Sequence, residues 1–274
     1  MITSAILATR MVGALPASSG ESGFEPPSID DFFPAPFALQ GTPFELNRVM
    51  MVRLIMACAL VLVFAIGAAR ARVVPGRFQS ALELVLDFVR KNVAEEILGP
   101  DFGRRYAPVL TTIFLGVLFL NISGVIPGLQ IASTGVVGMP LVFAIVSYIV
   151  FFYAGVRTNG VGRYIKGSLA PTGVPGFLYP LIIPIEFLSN LIMRPVTLTI
   201  RLLANMVSGH FLLALCYAAT SALFLHAAGV LKGLGAVTFG VALAFVLFEV
   251  FVAALQAYIF ALLTAAYISL SIEH

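Results

Sequence analysis

Charged residues are scarce in this 274-residue sequence: they make up only 11% of it, whereas 60% of the residues are hydrophobic. The mean hydropathy is +1.03. No charged residue lies between Arg105 and Arg157. A water-soluble globular domain carries far more charge than this, so a soluble protein is excluded and most of the chain must lie in a lipid bilayer.

Residues that commonly carry enzyme chemistry are also missing. Cys58 and Cys216 both lie in apolar runs, which excludes a disulfide framework and a zinc site. The motifs G-x-x-x-x-G-K-[ST], H-E-x-x-H and C-x-x-C are absent, so no residues are present for nucleotide hydrolysis or metal chemistry. We expect no metal and no cofactor. The net charge of +3 does not indicate nucleic acid, because the basic residues cluster in loops beside hydrophobic segments.

Several hydrophobic segments are long enough to cross a bilayer, which takes about 20 apolar residues. Two segments near the C-terminus are much longer than that, and each must tilt strongly in the membrane. The sequence therefore predicts an all-α polytopic membrane protein with about five crossings, in which two long tilted C-terminal helices form a hairpin. The predicted crossings are residues 49–69, 107–126, 136–156, 194–225 and 235–272.

The first long segment, residues 177–225, is too long to be one upright helix. Pro180, Pro184 and Pro195 provide places for breaks or kinks. We therefore expect a short, partly re-entrant approach, followed by a long helix that begins at about Arg194.

The connecting loops differ in basic residues. Seven Arg and Lys lie between Arg70 and Arg105, and Arg157, Arg163 and Lys166 follow the third crossing, whereas residues 127–135 contain none. The positive-inside rule assigns the two basic loops to the cytoplasm, which places the N-terminus outside and the C-terminus inside. Residues 1–48 are then an extracytoplasmic segment and residues 49–274 the membrane-embedded domain. The sequence leaves open whether residues 1–48 are cleaved.

An amphipathic pattern lies between the first two crossings. Apolar residues recur with helical spacing and polar residues occupy the opposite side. This pattern predicts an interfacial helix on the cytoplasmic surface. Its apolar stripe comprises Phe78, Ala81, Leu82, Val85, Leu86, Val89, Val93 and Ile97.

Polar residues inside the two long segments indicate the function. An ionisable group near the middle of a bilayer costs from about 3 to more than 10 kcal/mol, so such groups usually mark an ion path or a substrate site. These residues are Glu186, Arg194, Arg201, Asn205, His210, Glu249 and Gln256.

One hairpin register explains two pairs of these residues. If the chain turns at Gly229, His210 and Glu249 lie at one depth, and Arg201 and Gln256 lie at another. A His–Glu pair can hold and pass a proton near neutral pH.

Arg201 cannot relay a proton, because a guanidinium does not lose one in proteins. As a fixed positive charge it favours the ionised form of a carboxylic acid on a partner helix and blocks direct proton passage. The arrangement predicts two half-channels separated by Arg201. The outer one passes His210 and Glu249, and the cytoplasmic one passes Glu186, Ser189, Asn190 and Thr197.

Two sequence elements resemble subunit a of the F-type ATP synthase membrane sector. The first is residues 194–206, RPVTLTIRLLANM, and the second is residues 255–260, LQAYIF. Residues 74–79, VPGRFQ, and Asn121 with Pro127 extend the resemblance, which runs from about Val49 onward. The R-L-x-x-N-M element is highly specific for this family.

The resemblance implies a proton-translocating stator subunit in a bacterial plasma membrane, with nucleotide sites on other subunits. Its implied partners are c-ring subunits, b-type peripheral stalk subunits, the rest of the ATP synthase and membrane lipid, without nucleic acid. Arg201 is then the essential charge facing the c-ring carboxylates. The implied proton path contains Asn205, His210, Glu249 and Gln256, and Asn121 lines its outer half-channel.

The chain departs from a common bacterial pattern at two places. Many relatives carry Glu on the first long helix and His on the second, whereas this chain has His210 and Glu249, which keeps the pair. Some relatives carry an acid three residues after the Asn of the second crossing, where this chain has Gly124.

Two other functions use the same residues differently. A secondary transporter for a small anion would place Arg201 in a polar, roomy substrate cavity. However, the first three crossings are uniformly apolar, and no internal repeat is present. A structural scaffold would leave Arg201, His210 and Glu249 without a reason to be buried. Na⁺ coupling stays open, although a His–Glu pair suits protons better.

Overall fold

The computed structural model describes residues 47–126, 137–164, 179–226 and 231–273. Regular secondary structure in these residues is entirely helical, and five helices are long and apolar enough to cross a membrane. The predicted all-α polytopic fold is confirmed. The helices are α1 (Arg48–Ala69), α2 (Arg77–Val89), α3 (Glu96–Ile122), α4 (Gly138–Asn159), α5 (Tyr179–Phe187), α6 (Arg194–His226) and α7 (Leu231–Glu273).

The predicted amphipathic helix is present as α2. Its stripe packs inward towards its C-terminal end, where Val89 and Val93 are completely buried. At the other end Phe78 is half exposed, and Leu82 lies against Gly67 of α1. Gln79 forms two hydrogen bonds with the preceding loop. Its side-chain amide accepts from the backbone N–H of Arg72 and donates to the Arg72 carbonyl.

A sharp bend joins this interfacial helix to the second crossing. A π-helical turn, Arg90–Glu95, follows α2, and Gly99 then adopts φ 76°, a left-handed conformation that favours glycine. The bend is tight, since a Cβ on Gly103 would lie 2.7 Å from the Cα of Glu95. Glu95 also forms salt bridges with Arg90 at 2.9 Å and with Arg104 at 3.7 Å.

The main buried core lies among α3, α4 and the C-terminal half of α7. Leu110 and Val117 of α3 and Phe260 of α7 are almost completely buried in it. Ser147 of α4 and Thr264 of α7 share a buried hydrogen bond of 3.0 Å. In contrast, α1 and the N-terminal half of α7 leave many large apolar side chains exposed, as expected for surfaces covered by lipid or by other membrane subunits.

The expected re-entrant approach before Arg194 is wrong. Helix α5, a π turn at Leu188–Met193 and α6 follow one another without a break, so the chain is helical from Tyr179 to His226. Pro184 lies inside α5, and Pro195 is the second residue of α6, two positions after the π turn. The wider π turn accommodates the interrupted hydrogen-bond ladder, so the prolines change the helix without ending it. Such a helix is roughly 70 Å long and must cross the membrane obliquely.

Candidate functional site

Helices α6 and α7 pack as the predicted antiparallel hairpin, whose connection at residues 227–230 lies outside the described residues. Thr220 of α6 donates to the hydroxyl of Thr238 of α7 at 3.1 Å. Nearer the middle of the pair, the Glu249 carboxylate occupies the space beside Gly209, where a Cβ would overlap it. Glu249 therefore lies at the level of His210, as the register predicts.

Further from the connection, Gln256 has a different partner from the one that the register predicts. Its side-chain oxygen accepts a hydrogen bond of 2.8 Å from the side-chain nitrogen of Asn205, which lies one turn beyond Arg201. Gln256 is 3% exposed, and among the described residues its side-chain nitrogen has no hydrogen-bond acceptor. The predicted Arg201–Gln256 pairing is thus replaced by an Asn205–Gln256 hydrogen bond, which the Gln256 side chain makes about one turn along α6 from Arg201.

A cavity of about 230 Å³ lies along this face of the hairpin. It brings together Asn205 of α6, Glu249 and Gln256 of α7, and Asn121 of α3, which is completely buried. His210 is half-buried and lies outside the cavity lining. The rest of the lining is Val125, Met206, Ser208, Gly209, Leu212, Phe245, Phe248, Val252 and Ala253.

Arg201 lies near the middle of the helical run from Tyr179 to His226 and is exposed at the surface of the chain. Within the described residues it makes no salt bridge and no hydrogen bond. Because an uncompensated charge is costly in hydrocarbon, a charged group in this position usually marks an ion path or a substrate site.

The predicted cytoplasmic residues lie on the approach to Arg201, and Glu186, Ser189 and Thr197 do not line the cavity. Glu186 in α5 is half-buried, whereas Ser189 in the π turn and Thr197 in α6 are exposed. The side chain of Asn190 lies outside the described residues. The structure therefore separates Glu186, Ser189 and Thr197 from the polar residues that meet at the cavity, which are Asn121, Asn205, Glu249 and Gln256.

Sequence reasoning missed Ser208 and Gly209, which lie beside the polar residues of the cavity. Helical spacing provides a signal for Ser208, which lies three residues after Asn205 and therefore close to the same face. Gly209 carries no such signal, because its importance depends on the position of Glu249. Among the described residues no three His, Cys, Asp or Glu side chains are grouped closely enough to hold a metal ion.

Comparison with known proteins places this arrangement in a family. The sequence profile of the ATP synthase A chain family matches residues 49–269. The chain belongs to that family. It is 47% identical to an ATP synthase subunit a of Rhodococcus erythropolis over 91% of each chain. It is 35% identical to one of Pseudarthrobacter chlorophenolicus over 93% of this chain and 95% of the relative.

The family match contains the residues of the cavity and Arg201. Three different crossings supply the polar cavity residues: α3 contributes Asn121, α6 contributes Asn205, and α7 contributes Glu249 and Gln256. Residues 1–48 lie before the matched region, and residues 1–46 lie outside the described residues. The extracytoplasmic assignment of this segment stays a prediction.

Proposed function

We infer that the chain is the proton-translocating stator subunit of an F-type ATP synthase. The observation that carries this inference is the placement of Arg201. An exposed, permanently charged guanidinium lies mid-helix within a membrane crossing, one turn from Asn205 at the polar cavity. An exposed cation beside a polar cavity suits exchange of protons with carboxylates on a neighbouring subunit.

In the proposed path, protons reach the ring from outside through the cavity. Asn121 and Glu249 line this outer half-channel, and the Asn205–Gln256 pair lies towards Arg201. Because the buried side-chain nitrogen of Gln256 has no acceptor among the described residues, water in the cavity is a suitable acceptor for it. We place His210 beside this path at the level of Glu249.

Arg201 then separates the two half-channels. It attracts the ionised carboxylate of a ring subunit, which promotes proton release, and its own charge prevents a proton from crossing directly. Released protons leave towards the cytoplasm past Glu186, Ser189, Asn190 and Thr197. Each proton that crosses a potential of 100 mV provides about 2.3 kcal/mol, so several are needed for each ATP.

The proposed partners follow from this role. The c-ring covers the surface of Arg201, b-type peripheral stalk subunits hold the chain as a stator, and nucleotide sites lie on other subunits. The proposed orientation has the N-terminus outside and the C-terminus in the cytoplasm. An anion transporter is not favoured, because Arg201 does not line the cavity.

Cross-linking in the intact membrane complex tests the proposed contact. Ile200 beside Arg201 is 56% exposed, whereas Leu202 is completely buried. We expect Ile200→Cys to cross-link to a small, acid-bearing subunit present in many copies, and Leu202→Cys not to do so. Both variants lack the native cysteines. A chain that purifies without such a subunit, and from which Ile200→Cys captures none, would contradict the proposal.

A further inference from the structure

Arg194 lies over two aromatic rings from two different helices. Its Cζ is 4.9 Å from the ring centroid of Tyr267 in α7 and 5.8 Å from that of Phe151 in α4. The two ring centroids are 6.0 Å apart. Within the described residues Arg194 makes no salt bridge and no hydrogen bond, so cation–π contacts are its specific interactions there. We refer to Phe151, Arg194 and Tyr267 as the aromatic clamp.

The two rings lie on helices α4 and α7, which hydrogen bonds join to each other. We refer to these two joined helices as the platform. Near them, Ser147 and Thr264 join α4 to α7 through a buried hydrogen bond of 3.0 Å. At the ends of the same helices, the side-chain nitrogen of Asn159 donates to the carbonyls of Ser271 and Ile272 at 3.2 and 3.1 Å. The platform is therefore fixed on both sides of the clamp, and Arg194 attaches α6 to it.

The attachment at Arg194 affects the position of Arg201, because the two residues lie on the same helix. Arg194 is the first residue of α6, directly after the π turn at Leu188–Met193. From there to Arg201 the helix is regular, with a rise of about 10.5 Å and a rotation that leaves the two residues about 20° apart. A slip by one residue would shift Arg201 by about 1.5 Å along the axis and turn it by about 100°.

We propose that the aromatic clamp fixes the depth and rotation of α6 and thereby positions Arg201 between the two half-channels. Arg194 is thus a positioning residue, which acts through Arg201. The inference depends on the proposed function of Arg201. The alternative is that Arg194 only extends its charge towards water at the membrane surface, in which case the rings would not matter.

Two substitutions of one ring separate these roles. Tyr267→Phe keeps the aromatic face, and the Tyr267 hydroxyl makes no hydrogen bond within the described residues, so this variant is the matched control. Tyr267→Leu keeps an apolar side chain but removes the face. Each is measured in inverted membrane vesicles that contain the whole complex, with rates normalised to the amount of this chain.

For Tyr267→Leu we expect ATP-driven proton pumping to fall roughly five- to tenfold and passive proton leak to rise, while Tyr267→Phe behaves as wild type. The leak is diagnostic, because lower assembly alone would reduce pumping and leak together. Normal pumping and normal leak in Tyr267→Leu would overturn the inference. If Tyr267→Leu lowers the amount of chain in the membrane, Arg194→Lys and Arg194→Gln provide the decisive comparison.

With that second pair, we expect Arg194→Lys to retain most pumping and Arg194→Gln to leak. If the two variants pump and leak equally, the proposed role of the aromatic clamp is overturned. Arg201→Ala in the same vesicles distinguishes a failure of the proposed function from a failure of the aromatic clamp alone. If Arg201→Ala pumps normally, the proposed function fails; if it does not pump but the clamp variants are normal, only the clamp fails.

Discussion

Asn205 donates a hydrogen bond of 2.8 Å to the side-chain oxygen of Gln256, and this contact links α6 to α7 at the cavity. Gln256 is almost completely buried, so removal of Asn205 would leave a buried polar group without its partner. An unsatisfied buried group of this kind costs about 1–3 kcal/mol. The pair therefore holds the polar end of the cavity in one arrangement close to Arg201.

A double-mutant cycle tests this coupling. We expect Asn205→Leu and Gln256→Leu each to lower ATP-driven proton pumping by roughly tenfold, and the double variant to pump no worse than either single variant. The physical reason is that the first substitution already breaks the shared hydrogen bond. Pumping rates of the four proteins in inverted vesicles provide the measurement. Losses that multiply in the double variant would show that the two amides act independently.

Gly209 is predicted to set the position of the Glu249 carboxylate, because Glu249 fills the space that a side chain would need. In Gly209→Ala the new methyl group would displace the Glu249 carboxylate, and we expect slower proton uptake from the outside. Gly233→Ala in α7 is the control, since a Cβ there meets nothing within 4 Å. Proton flux under an imposed potential checks both variants. Equal flux in the two would show that the position of Glu249 is not limiting.

The His210 and Glu249 pair is predicted to function in either orientation. His210→Ala should slow proton uptake, because the half-buried carboxylate then loses a basic neighbour at its own depth. The exchange of His210→Glu with Glu249→His should restore substantial flux, as both groups are still present. Flux of the single and exchanged variants is compared in the same vesicles. An exchanged protein as slow as His210→Ala would argue against a working pair.

Glu186 is predicted to be reached by water from the cytoplasmic side. It is half-buried in α5, whereas its neighbour Ile185 is 55% exposed and apolar, as a lipid-facing residue would be. We expect a membrane-impermeant thiol reagent to modify Glu186→Cys from the cytoplasmic face faster than Ile185→Cys. Modification of Glu186→Cys from the outer face alone would remove this residue from the cytoplasmic half-channel.

Hydropathy predicted the crossings well, because a membrane helix must be both long and apolar and the sequence records both properties directly. The sequence-based prediction was wrong before Arg194, where the prolines suggested a break in the helix. A π turn at Leu188–Met193 preserves the helix instead, and its formation depends on packing that composition does not reveal.

Pairing across the hairpin was predictable near the connection, where a count of residues from Gly229 places Glu249 at the level of His210. It failed for Gln256, because a count of residues gives the depth of a side chain and not its direction, and the Gln256 amide bonds Asn205 instead of Arg201. The aromatic clamp was not predictable either. Phe151 and Tyr267 lie far from Arg194 in the sequence and have the ordinary appearance of apolar helix residues.

The most direct test of the central claim is ATP-driven proton pumping by Arg201→Ala and Arg201→Lys in inverted vesicles, with assembly of the complex measured in parallel. Arg201 makes no salt bridge or hydrogen bond among the described residues, so its removal should leave assembly intact. We predict that Arg201→Ala abolishes pumping. Arg201→Lys should largely fail as well, because an ammonium is a compact charge that loses its proton when buried. Normal pumping by fully assembled Arg201→Ala complexes would contradict the account.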